Sequence, residues 1–81
     1  MTYALEHDGE RFELFYYQTQ ETVSLYDKAE HMLWIYTDSE AQRFWKQYIL
    51  SLKYFHVNHG WTIDKVLENI LEGIDHEHDA S

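Results

Sequence analysis

The apolar residues of this chain change their spacing once, at Thr37-Asp38-Ser39-Glu40, and that change limits what the chain can become. Before it they fall in short runs broken by polar or turn-forming residues, as strands require. After it they recur at steps of three and four, as helices require. Strands first and helices afterwards define an α+β domain rather than an alternating α/β one. The expected architecture is a four-stranded antiparallel β-meander followed by two C-terminal α-helices packed on one face of the sheet.

The first hairpin is expected around His7-Asp8-Gly9-Glu10, because Asp-Gly is a favoured pair for a two-residue turn. That turn sets His7 opposite Glu10, Glu6 opposite Arg11, Leu5 opposite Phe12 and Tyr3 opposite Leu14. The last two pairs make an apolar face, and Glu6 with Arg11 makes an ion pair on the other. After the polar break Gln18-Thr19-Gln20-Glu21, a second hairpin joins Thr22 to Tyr26 with His31 to Tyr36 around Asp27-Lys28-Ala29-Glu30.

Thr37 with Glu40 reads as a capping box, and Tyr36 can staple onto Ala41. The helix it opens runs to about Val57 and places Ala41, Phe44, Trp45, Tyr48, Ile49, Leu52 and Phe55 on one face. Gly60 supplies a left-handed stop. Thr62 then caps a second helix, with Trp61 placed against Val66 and an apolar stripe of Ile63, Val66, Leu67, Ile70, Leu71 and Ile74. Residues 1–74 form the expected single domain, and residues 75–81, acidic and rich in His, a flexible tail. No internal repeat, linker or low-complexity segment is evident.

A chain of 81 residues needs large side chains to fill a core, and fourteen aromatics (four Phe, seven Tyr, three Trp) supply them. The absence of cysteine excludes disulfides and thiolate metal sites and suits a reducing cytoplasm. No apolar run reaches the roughly 18 residues of a membrane span, and the first residues lack the pattern of a signal peptide. A cytoplasmic protein without a membrane partner is expected.

The net charge of −9 disfavours direct binding to nucleic acid or anionic lipid and points to a basic protein partner. The charge is also unevenly placed. Residues 1–40 carry nine acids and two bases, residues 41–63 carry three bases and no acid, and residues 64–81 carry six acids and Lys65. On the second helix Asp64, Glu68 and Glu72 step by four residues, about 6 Å each, with Asp75 nearly in line. The hairpin acids Asp8, Glu10, Glu13, Glu21, Asp27 and Glu30 can widen that surface.

Such a row has two readings. It is either the solvated face of a packed helix or a phosphate-like array that occupies the basic cleft of a nucleic-acid-binding protein. The second describes an inhibitor acting by DNA charge mimicry, the type made by phages and mobile elements. An immunity or antitoxin protein facing a basic toxin shares the same physics. On the first helix, Leu50, Tyr54 and Val57 lie opposite the main stripe, interleaved with Arg43 and Lys46, a patch suited to a homodimer or partner interface.

His56 and His59, three residues apart, are the candidate metal ligands of a third reading, a metal-binding regulator. Imidazoles near a helix C-terminus also serve its unpaired carbonyls, so no metal or other cofactor is expected. No nucleophile elbow or glycine-rich phosphate loop occurs, and binding rather than catalysis is the expected work.

Overall fold

A computed structural model of the chain describes the backbone of residues 4–79 and side-chain surroundings through residue 74. Four strands, β1 (Ala4–Asp8), β2 (Phe12–Tyr17), β3 (Thr22–Asp27) and β4 (Met32–Thr37), form one antiparallel sheet in the order β1-β2-β3-β4. Two helices follow, α1 (Asp38–Ser51), which continues as a π-helical segment (Leu52–Val57), and α2 (Ile63–Asp79). The α+β arrangement is the expected one. The chain divides into two compact units, Met1–Lys46 and Gln47–Ser81.

In the first unit, β2, β3 and β4 are each six residues long and are separated by four-residue loops. Strand starts therefore recur every ten residues, in step with Tyr16, Tyr26 and Tyr36. Each loop ends on a residue forced into the left-handed region, Glu21 at φ 48° and His31 at φ 55°. Non-glycine residues resist that conformation, so the loops need support. In the second loop the Asp27 carboxylate supplies it, accepting hydrogen bonds from the Ala29 and Glu30 amides at 3.0 and 3.3 Å.

The first hairpin departs from its expected register. Asp8 pairs with Glu13, His7 with Leu14, Leu5 with Phe15 and Ala4 with Tyr16, with an irregularity between Leu5 and His7. The connection is longer than two residues, and Gly9 N–H donates to the Phe12 carbonyl at 2.9 Å. Long-range bonds override the local turn preference here. Lys28 donates to the Asp8 carboxylate at 2.8 Å and to the Gly9 carbonyl at 2.7 Å. The Arg11 carbonyl accepts from the Lys28 amide at 2.7 Å, while its side chain turns to Asp27. The expected Glu6–Arg11 pair is thereby replaced, and Tyr3 lies outside the described residues.

The sheet's inner face carries Phe12, Leu14, Val23 and Leu25, all fully buried. On the same face Tyr16 stacks on Trp45 and Tyr36 on Phe44, with ring centroids 4.4 and 4.7 Å apart. Tyr36 therefore meets Phe44, one helical turn beyond the expected Ala41. Thr37 stays in the ladder opposite Thr22. The helix opens instead at Asp38, whose φ is 53° and whose N–H donates to the Glu21 carbonyl at 2.9 Å.

In the second unit Tyr48, Val66, Leu67, Ile70 and Leu71 are buried, which bears out the helical stripe of α2. The first helix follows its expected face less closely, since Ile49 is exposed. Its last turns widen, and the Asn58 amide reaches back to the Lys53 carbonyl at 3.2 Å. Gly60, at φ 73°, makes the left-handed stop. Thr62 Oγ1 accepts from the Lys65 amide at 3.2 Å and caps α2 as expected. Trp61 turns back onto Phe55, ring centroids 4.1 Å apart, with the Lys65 ammonium 4.4 Å from its ring centre.

Candidate functional site: the charged sheet end and the exposed apolar face

Two of the sheet's loops meet at one end, where the chain places Asp8, Glu10, Arg11, Glu13, Asp27, Lys28 and Glu30. Asp27 is the buried member, only 1% exposed, and Arg11 closes on it through Nη2 at 3.0 Å and Nε at 3.3 Å. Burial, the largest influence on this carboxyl, pushes its pKa up. The Arg11 hydrogen bond, the Glu30 and Ala29 amides and the Arg11 charge together outweigh it, so the group titrates below the usual aspartate range. Asp27 is thus a structural acid that fixes its loop, and it leaves the proposed partner-binding surface.

Lys28 holds two more of the candidate acids, Asp8 at 2.8 Å and Glu13 at 3.8 Å, all partly exposed. Glu10 and Glu30 stand exposed beside them, and Glu21 is exposed in the loop at the opposite end of the sheet. The hairpin acids are therefore split between two ends rather than drawn into one row. On α2, Asp64 and Glu68 are half-buried and Glu72 is exposed. Glu68 and Glu72 line a shallow cleft with Trp61, Lys65 and Asn69. The side chain of Asp75 lies outside the described residues, as do those of the tail.

The patch residues Leu50, Tyr54 and Val57 are exposed in the second unit, and Arg43 and Lys46 are exposed in the first. Tyr54 lies edge-on to Phe55 and against the His59 ring, both at 4.8 Å between centroids. His56 donates from Nδ1 to the Trp61 carbonyl at 2.6 Å, bracing the turn that follows the π-helical segment. Among the described residues no group of three or more His, Cys, Asp or Glu side chains is arranged to hold a metal ion. Nor is any helix long and apolar enough to cross a membrane.

The largest feature unread in the sequence is the sheet's outer face. The register aligns Leu5, Phe15, Ser24 and Ile35 in one row across all four strands. A second row holds Glu13, Tyr26 and Leu33, and Tyr17 flanks the first. Leu5, Leu33 and Ile35 are 51%, 57% and 58% exposed. A contiguous apolar surface of this kind is what interaction sites present. The signal was in Phe12-Glu13-Leu14-Phe15-Tyr16-Tyr17 and Met32-Leu33-Trp34-Ile35-Tyr36, where apolar residues occupy both parities of the strand. A sheet solvated on one side would alternate.

No protein-family model matches this chain, and no curated protein or solved structure matches it either.

Proposed function

We propose that this protein works by binding another protein, with the outer face of the meander as its docking surface and a basic surface as its match. The observation that carries the reading is the Leu5–Phe15–Ser24–Ile35 row, apolar at three of four positions and well exposed at both ends, with the exposed carboxylates of Glu10 and Glu30 at the adjoining end of the sheet. Apolar side chains supply the centre of such an interface, and the acidic border selects the partner and speeds its approach. Of fifteen acids facing six bases, the surplus sets the sign of that selection. Capture of partners from the native cell at low salt tests it. The retained protein should be basic, elute as salt rises, and be lost on Leu5→Glu. Unchanged retention by that variant would overturn the outer-face reading.

A narrower reading is favoured by one observation, the exposure of Glu72 one helical turn beyond Glu68 on α2. In it the helix acids stand in for phosphates and block the nucleic-acid cleft of an enzyme, or the active surface of a basic toxin. Glu68→Lys with Glu72→Lys should then leave folding intact and abolish binding, whereas Leu5→Glu should leave binding unchanged. The two variants together distinguish an apolar-centred interface from charge mimicry.

A further inference from the structure

The sheet has two edges, and they are treated differently. An edge strand offers unpaired N–H and C=O groups to any other strand, and soluble proteins guard such edges with charges, bulges or proline. The β1 edge is guarded twice, by the irregularity between Leu5 and His7 and by the charges of Glu6 and Asp8. The β4 edge has neither device. Its ladder with β3 runs in unbroken register from Thr22↔Thr37 to Asp27↔Met32. Between Met32 and Thr37 there is no charged residue and no proline. β4 is the terminal strand of the sheet, and its Met32, Leu33 and Ile35 are 49–58% exposed.

We infer that β4 pairs antiparallel with β4 of a second copy of this chain, about a two-fold axis at Trp34, to give a continuous eight-stranded sheet. The alternation of side chains requires the axis to pass through a residue rather than between two. Residues facing each other across an antiparallel pair lie on the same side of the sheet. Centring on Trp34 sets Leu33 of one copy opposite Ile35 of the other on the outer face, twice by symmetry. It sets Met32 opposite Tyr36 on the inner face. Centring on Ile35 instead puts Asp38 against Met32, whereas centring on Trp34 keeps the paired residues 32–36 uncharged and leaves Asp38 opposite Glu30 beyond the paired segment.

Charge also selects the occupant. A basic foreign strand would find no acid on β4 to prefer it, whereas two acidic copies can approach only where neither carries a charge. Residues 32–37 are the uncharged strand of this sheet. Pairing β4 with β4 consumes both unguarded edges and leaves the guarded β1 edges outermost, so assembly closes at two and does not grow into fibres.

This inference is independent of the basic-partner reading, and salt separates them. Screening weakens attraction to a basic partner and weakens repulsion between acidic copies. Sedimentation of the full chain alone, from micromolar to millimolar protein, should show a monomer–dimer equilibrium that tightens as salt rises. Ile35→Lys places two ammonium groups at the seam and should weaken the dimer at least roughly tenfold. Leu5→Glu and Leu50→Glu should leave it unchanged, although the first removes partner docking. Hydrogen exchange on the unaltered chain gives a readout that does not depend on the variant folding. The β4 amides that point away from β3 should gain protection as concentration rises. A chain that stays monomeric throughout, or a dimer lost on Leu50→Glu and kept on Ile35→Lys, overturns the inference and leaves the partner reading standing.

Discussion

The two compact units carry nine and six acids and use them differently. In Met1–Lys46 three acids, Asp8, Glu13 and Asp27, are built into the fold by Lys28 and Arg11, and they decide where the strands pair. In Gln47–Ser81 the local structure is set by aromatic stacking and by caps at Gly60 and Thr62, while the outermost described acid, Glu72, stands at the surface. Net charge therefore says little about function until each carboxylate is placed. A buried acid with a cation beside it holds the chain in register. An exposed one is available to a partner.

The comparison is tested most severely at Asp27. Asp27→Ala strands the Arg11 guanidinium and removes the acceptor for two loop amides. The expected loss is about 3 kcal/mol, the lower end for breaking a buried pair because Arg11 keeps a third of its side chain in water. Urea unfolding measures it. The loss should also depend on pH. The folded-state pKa is lowered, so the stabilisation is complete above the unfolded aspartate value near about 3.9 and is lost as pH falls through the lower folded value. The gap between wild type and Asp27→Ala should thus be widest near neutrality and close in acid. A gap independent of pH would mean that Asp27 acts through shape alone.

The next largest effects belong to the second unit and involve no charge. Gly60→Ala keeps φ 73° with a side chain that dislikes it. A Cβ there meets nothing within 4 Å, so the cost is the backbone's alone, about 1–2 kcal/mol. Thr62→Ala removes the cap on the Lys65 amide and should cost about 1 kcal/mol. Thermal unfolding of both variants at low and at high salt checks the contrast. Neither loss should change with salt.

These same residues show what the sequence discloses. Caps depend on neighbours within one turn, so Gly60 and Thr62 were legible, as was the stripe from Val66 to Leu71. The hairpin at Asp8-Gly9 departs from the two-residue turn its sequence favours because its register is fixed by Lys28 and Arg11, which meet residues some sixteen to twenty positions away. No local turn rule contains that information. The outer face escaped for another reason. Apolar side chains at both parities of β2 and β4 look like a strand buried on two sides until the exposure of Leu33 and Ile35 shows that one side is open. The widening of the helix at residues 52–57 has no sequence mark that we can identify.

The smallest effects decide whether the division of labour among acids is real. Asp8→Asn removes an exposed partner from Lys28 at 2.8 Å and should cost between about 0 and 1 kcal/mol, less as salt rises. Glu72→Gln, on the exposed face of α2, should change stability by no more than about 0.5 kcal/mol at any salt concentration. If both hold, the acids held by Lys28 are structural and Glu72 is free to serve recognition. A loss above about 1 kcal/mol for Glu72→Gln would show that this carboxylate is neutralised within its own fold. Charge mimicry by α2 would then have no physical basis, and the exposed sheet face would remain as the surface on which a partner is recognised.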